Sequence, residues 1–322
     1  MSSLPTRWVG IDEAGYGPNL GPLVMTAVVA ETHDERPPDL WNDLSATVCR
    51  AGGDPERLWV DDSKVLYRSG QGRDRLEAAA LALIRAIGGE APRTVSALLG
   101  ALDAGTLDGV GLSQWLDGDD PAWPTPATRE RCKGNGSERC FEGASWRLEG
   151  VRAVVLGPAA FNEGLERTGS KARVHFEAFA QLLGHHWERA GDGCATHVRG
   201  DKHGGRHFYY EPLVEVFADA WIDRGVEGPE LSQYTMRAPG RHLELSVCPR
   251  ADASDGLVAL ASIVSKTIRE AWMDVFNDYW TARLPGLRRS AGYPLDAARF
   301  REAVEPLGRT LGLQLGSWWR TR

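Results

Sequence analysis

The sequence predicts an α/β fold: a mixed β-sheet flanked by helices, with inserted segments and a helical region toward its C-terminus. Three observations predict it. Short β-type apolar runs open the chain and then alternate with segments of helical period. Acidic residues stand just past several of those strand runs. At 322 residues, 42% hydrophobic and 25% charged, the composition is that of a globular protein with a sizeable core.

Residues 6–12 (TRWVGID) read as a first strand, and residues 23–31 as a second, buried and rich in valine. Pro18, Gly21 and Pro22 punctuate the space between them. Residues 58–60 read as a third short strand running into Asp61-Asp62-Ser63-Lys64. Residues 73–87 form a helix with Leu76, Ala80, Leu83, Ile84 and Ile87 on one face, stopped by Gly88-Gly89. Residues 100–150 carry Gly, Pro and Trp in no clear period and read as an insertion. A strand over 151–156, an amphipathic helix over 174–189 and a short strand over 195–198, ending near Asp201, come next. Residues 210–222 read as a helix and 243–247 as a strand leading toward Asp252. Residues 256–280 are the longest helical pattern, and 297–307 a final helix. The whole reads as one domain over 1–322, with a second insertion at 208–245 and a helical extension at 281–322. No internal repeat or low-complexity tract interrupts it.

Lys and Arg number 37 against 44 Asp and Glu, a net charge of −7. That balance tells against a protein that coats nucleic acid by charge alone. It is compatible with a nuclease, which needs a carboxylate cluster for metals and only a local basic patch. The five cysteines are scattered and odd in number, and no secretory leader is read, so the expectation is a reduced, cytoplasmic protein. The longest apolar run, residues 23–30, is strand-sized, and no membrane partner is expected.

Asp12-Glu13 sits at the end of the first strand and directly before the Gly15-Tyr16-Gly17 turn. Adjacent strand residues point to opposite faces, so only one of the pair faces a site squarely unless the strand bends at Gly15. Asp201 and Asp252 also stand just past candidate strands. Oxygen ligands converging from separate strand ends suit hard divalent cations. Two such ions roughly 4 Å apart clamp the attacking and leaving oxygens of a phosphodiester. Gly15-x-Gly17-x-x-x-Gly21 is a poor dinucleotide loop, since Pro18 interrupts it and two carboxylates would repel a pyrophosphate.

Gly10-Ile-Asp-Glu-Ala-Gly15, with Gly17-Pro18 and Gly21-Pro22, resembles the first motif of the type 2 ribonuclease H family (bacterial ribonuclease HII). Asp62-Ser63-Lys64 with Leu66 resembles its Asp-Ser-Lys segment. Ala251-Asp252, then Ala259-Leu-Ala-Ser-Ile-Val-Ser-Lys266 and Arg269-Glu270, resembles its last acid and following helix. Ala291-Gly-Tyr293-Pro resembles its Gly-Tyr segment. The resemblance covers the first 70 residues and about 250–305, and covers the middle poorly.

The resemblance implies an RNase H-like fold and metal-dependent hydrolysis of the RNA strand of an RNA–DNA hybrid, with two Mg²⁺ or Mn²⁺ ions. Its substrates would be hybrids or ribonucleotide-containing DNA, with no obligate protein partner. Asp12, Glu13 and Asp252 match the family's metal-binding carboxylates. For the remaining acid Asp201 is chosen, with Asp192 as the rival. Gly15, Tyr16, Gly17, Lys64, Arg206 and Tyr293 are the candidate substrate contacts. Tyr16 departs from the family, which has a basic residue there to sense the ribose 2′-hydroxyl, the group that marks RNA. Arg206 or Lys202 is the candidate replacement charge. Two alternatives stay open: a nuclease of this fold with another nucleic-acid substrate, and a non-catalytic nucleic-acid-binding protein.

His185, His186, His197, His203 and His207 match no structural zinc spacing and are expected to be exposed or hydrogen-bonded, with His203 or His207 a candidate proton shuttle. Cys132 and Cys140 are expected to be thiols. Lys266 is expected to pack its stem and solvate its head. Ser262 is expected among small residues at a helix–sheet contact, and Trp318-Trp319 to anchor the tail to the core.

Overall fold

A computed structural model describes residues 5–33, 36–68, 71–132 and 139–321. In chain order the strands are β1 (Thr6–Ala14), β2 (Leu23–Thr32), β3 (Val48–Cys49), β4 (Leu58–Trp59), β5 (Trp146–Leu156), β6 (Thr196–Asp201), β7 (Trp221–Glu227), β8 (Ser232–Ala238) and β9 (Arg241–Cys248). The first five helices are α1 (Leu40–Asp43), α2 (Ser63–Tyr67), α3 (Gly72–Ala86), α4 (Val95–Ala101) and α5 (Pro126–Arg131). The rest are α6 (Pro158–Thr168), α7 (Lys171–Arg189), α8 (Tyr210–Val216), α9 (Gly256–Arg283) and α10 (Pro294–Thr310). Seven strands form one mixed sheet in the order β5-β2-β1-β6-β9-β8-β7. β1 pairs antiparallel with β2 and parallel with β6, and β6 runs parallel to β9. This is the expected class, a mixed sheet flanked by helices.

Strand alternation sorts the core into two layers. Val9, Ile11, Met25, Ala27 and Val29 face α7 through Phe176, Phe179 and Leu183. Val24, Val28 and Ala30 face α9 through Leu260, Ile263 and Val264. β2 buries both faces, which is why it reads as a continuous apolar run. α9 lies directly on β1: a Cβ on Gly10 would overlap the backbone of Leu257 and Val258. Asp255 caps α9, accepting from the N–H groups of Leu257 at 2.9 Å and Val258 at 3.1 Å.

Three segments differ from expectation. The region 210–222 is not one helix. α8 stops at Val216, and Trp221 begins β7, the sheet's edge strand. β8 follows it, pairing antiparallel with both β7 and β9. The stretch from 157 to 170 holds α6, which no apolar period announces. Within 100–150, β5 already starts at Trp146. Residues 133–138, between the two cysteines considered above, lie outside the described residues.

Candidate active site

The C-terminal ends of β1, β6 and β9 stand side by side. Ile11 pairs with Gly200, and Asp201 pairs with Cys248. The acid that follows or ends each strand therefore arrives at the same edge. Asp12 is 5% exposed. Its Oδ1 accepts the Glu13 N–H at 2.7 Å, and its carbonyl lies 3.1 Å from the Ser265 hydroxyl of α9. Asp201 Oδ1 accepts the Ala251 N–H at 3.0 Å. That bond fixes the turn after β9, where Arg250 takes φ 54° and Asp252 is buried. A fourth element closes the edge. Asp62 caps α2 by accepting the Lys64 N–H at 2.7 Å, and Ser63 Oγ lies 3.0 Å from Ser262 Oγ of α9.

These carboxylates feel one another. Burial pushes Asp12 well above the usual carboxylate range, and the charges of Glu13, Asp201 and Asp252 push it further. Asp252 is raised to about 6, by burial first and then by Asp62 and Asp201, with Lys64 opposing. Asp201 is raised by burial and by Glu13, against the Ala251 and Lys202 N–H groups. Burial alone would lower Lys64, but Asp62, Asp12, Asp252 and Glu13 outweigh it and hold the ammonium up. Asp12, Glu13, Asp201, Asp252 and Lys64 thus share one electrostatic field.

Asp12 and Glu13 face opposite sides of the sheet. Asp12 looks to α9, where the Ser262 hydroxyl opposes the rise in its pKa. Glu13 Oε1 looks to α7 and lies 3.5 Å from His175 Nε2. His175 is fully buried, and neither of its ring nitrogens has a hydrogen-bond partner. Its ring packs edge-on against Tyr16 and His203, centroids 4.5 Å away in each case.

The turn after Glu13 is braced from below. Gly15 takes φ +91°, and a Cβ there would overlap the Pro22 carbonyl. The Arg320 guanidinium donates to the carbonyls of Gly15, at 2.6 Å, and Pro18. Arg269 Nη2 donates to Leu20 O at 3.2 Å and Ala291 O at 2.9 Å, and Asn19 N–H to Gly292 O at 2.8 Å. These bonds draw the half-exposed Tyr293 beside the turn. Arg206 stands near Tyr16, where its charge lowers a phenol pKa that burial raises. Lys202 is instead buried, its Nζ donating to Gly228 O at 2.6 Å, and is no free charge for a ligand. Asp192 sits beyond the other end of β6, bonded to Arg7 at 2.6 Å. Position therefore separates the two rivals: Asp201 joins the cluster and Asp192 does not.

Some expectations shift. His186 is buried with both ring nitrogens partnerless, and His203 is buried with a partnerless Nδ1. His197 is half-buried, stacking on Trp8 and lying 3.1 Å from Glu244. Ser262 is a hydrogen-bonding member of the site edge, and Lys266 pairs with Glu270 at 2.5 Å. Sequence reasoning missed His175 and Arg320. His175 had a signal: it shares the buried stripe of α7 with Phe179, Leu182 and His186. Arg320 had none, since its partners lie at the far end of the chain.

The donor set is all carboxylate oxygen, the chemistry of hard divalent cations, and burial together with neighbouring negative charge raises Asp12, Asp201 and Asp252. Among the described residues no group of three or more His, Cys, Asp or Glu side chains is placed to hold a metal ion.

No protein-family model and no curated protein matches the chain. Solved structures do. A structure of the PCNA:RNase HII complex from Archaeoglobus fulgidus aligns over 98% of this chain and 94% of that one, at 16% identity and TM-score 0.43. Ribonuclease H2 from Pyrococcus horikoshii OT3 aligns over 97% and 92%, at 15% identity and TM-score 0.40. Bst-RNase HIII in complex with Mn²⁺ aligns over 98% of this chain and 66% of that one, at 15% identity and TM-score 0.41. What those proteins bind or cut is a property of those proteins.

Proposed function

We propose that this chain is a divalent-metal-dependent endonuclease that hydrolyses the RNA strand of RNA–DNA hybrids, acting in the cytoplasm. One observation carries the reading: Asp12, Glu13, Asp201 and Asp252, far apart in the sequence, share one field at one sheet edge. The four-block sequence resemblance supports the choice of substrate. Among the described residues no helix is long and apolar enough to cross a membrane.

In this reading Asp12, Glu13, Asp201 and Asp252 hold Mg²⁺ or Mn²⁺, which supplies charge neutralisation at the phosphodiester and an activated water. The chain's own residues position the rest. Lys64, kept cationic by the surrounding acids, meets a phosphate oxygen. The Gly15-Tyr16-Gly17 turn, exposed at Gly17, lets a sugar approach the backbone closely. Tyr293, half-exposed beside that turn, offers a ring and a hydroxyl to the ribose. Arg206, near Tyr16, supplies the cation that the turn itself lacks.

A substrate panel tests this. Wild type with Mg²⁺ or Mn²⁺ is expected to cut the RNA of a hybrid and leave duplex DNA intact, and Asp12→Asn to cut neither. Tyr16 favours one second reading, the same hydrolysis on a different nucleic acid. Cleavage of duplex DNA or duplex RNA in preference to hybrid would select it. A folded wild type that binds hybrid and cuts nothing would leave only a binding role.

A further inference from the structure

Beside the carboxylate edge, on the side of α7, lies a cavity of about 960 Å³. The turn after β6, the start of α8 and β7 form its walls. Tyr16 and His203 line it, so it is continuous with the cluster around Glu13 and His175.

Its wall carries unmet hydrogen-bonding groups. His203 is 7% exposed, and its Nδ1 has no partner. Arg206 Nε and His207 Nδ1, covered atoms of half-buried side chains, are also without one. The guanidinium Nε is a donor only, and no acceptor of the described residues meets it in this arrangement. A buried donor left unpaired is costly, which makes its retention informative. Arg206 meanwhile has its position fixed by an Nη2 bond to Ala172 O at 3.3 Å and by the rings of Phe176 and Tyr209.

The mouth is aromatic. Phe208 also lines the cavity and is 66% exposed, an unusual solvent exposure for a phenylalanine. Arg224 lies 5.4 Å over the Tyr210 ring at the same wall. Two acids share the lining, Glu211 and Glu227. Glu227 is already engaged, accepting from the N–H groups of Tyr209 at 3.1 Å and Tyr210 at 3.2 Å and from the Tyr234 hydroxyl. Stacking faces beside cationic donors are the combination that holds a single-stranded nucleotide.

We propose that this cavity is a subsite for one nucleotide of the strand flanking the scissile bond, with Arg206 and Arg224 toward its phosphate and Phe208 stacked on its base. This rests on the nuclease reading above and adds a place for the substrate that the carboxylate edge alone does not provide. Stacking on Phe208 is tolerant of sequence, because every base has a π-face.

The test measures binding by fluorescence anisotropy and cleavage separately, on full-length protein. The probes are a long RNA–DNA hybrid and a series shortened one base pair at a time from either end. Phe208→Ala and Arg224→Gln, both at exposed side chains, are compared with wild type. Each is expected to raise Kd and KM for the long hybrid about 10-fold with kcat nearly unchanged, and Phe208→Trp to restore binding. The loss is expected to vanish on hybrids trimmed from one end only, the end that reaches the cavity. Unchanged binding of the long hybrid, or an equal loss on every trimmed hybrid, overturns the subsite. Absence of cleavage by wild type overturns the nuclease reading instead, and the anisotropy arm still decides the subsite.

Discussion

Arg320 donates a 2.6 Å hydrogen bond to the carbonyl of Gly15, a residue 305 positions earlier. The guanidinium is 1% exposed, lies 4.6 Å over the Phe161 ring, and also serves the Pro18 carbonyl. Burial lowers its pKa to about 9, with the charge of Arg269 adding to the effect. Its own strand of chain is tied in turn: Asn19 Nδ2 donates to Arg320 O at 3.1 Å, and Trp319 bridges to Leu20. The Gly-rich turn that follows the first two carboxylates is thus held by the last residues described.

Arg320→Ala would take this donor from the half-buried carbonyl of Gly15 and the buried carbonyl of Pro18. We expect it to lose about 2–4 kcal/mol of stability, the usual cost of breaking a buried charged hydrogen-bond set. Arg320→Lys would recover only part of this, since an ammonium cannot reproduce a planar fork. Urea unfolding reads the loss. A stability within experimental error of wild type would mean the turn holds without this brace.

Asp12 is the most strained of the acids, because burial and three neighbouring charges act on it together. Asp12→Asn keeps an oxygen to accept the Glu13 N–H and removes the charge. In chelator the variant is expected to melt higher than wild type, by about 3 °C. Mn²⁺ should reverse the order, because only the wild type gains by binding. That gain is about 2.7 kcal/mol at 100-fold excess over Kd. A variant that melts lower than wild type in chelator would show that Asp12 is not under repulsion.

Asp12 and Asp201, at or near the ends of β1 and β6, and Asp252, in the turn just past β9, were legible as acids beside apolar strand runs, and a strand end is a fixed address in a sheet. β7 was not legible. In Trp221–Glu227 only Ile222 is buried, so an edge strand with one covered side chain leaves no alternation to read. α6 was hidden by Gly164 and Asn162, two poor helix formers that sit on its buried side. The opposite facing of Asp12 and Glu13 follows from strand period alone. What occupies each face, Ser262 on one side and His175 on the other, depends on which helices cover the sheet. Arg320 shows the limit most plainly, since no local pattern links a residue to a carbonyl at the other end of the chain.

His175 Nε2 lies 3.5 Å from Glu13 Oε1 on the α7 side, its ring between those of Tyr16 and His203. His175→Phe keeps the ring packing and removes the polar edge that faces the carboxylate. The Mn²⁺ concentration giving half-maximal cleavage is expected to rise about 10-fold, in the range typical of groups that orient metal ligands. The melting temperature should not fall, because the wild-type imidazole is buried without a hydrogen bond. An unchanged Mn²⁺ dependence would reduce His175 to packing.

Asp252 gives a pH dependence with a definite sign. Its carboxyl titrates near 6 in the folded protein, against an ordinary value of about 4 in the unfolded chain. Between those two values the folded state holds more of the proton, so raising the pH costs stability, and above both the loss is complete. His186 runs the other way. Burial holds it down to about 3, so stability falls as pH drops below about 6.5, where the unfolded imidazole takes up a proton. A single pH–stability curve mixes the two, and a pair of curves separates them. In chelator, Asp252→Asn should be more stable than wild type at pH 7.5, and the gap should close as the pH falls toward 4. The histidine contribution cancels in that difference because both proteins carry it. A gap that stays constant across the range would show that Asp252 ionises in the folded protein as it does in water.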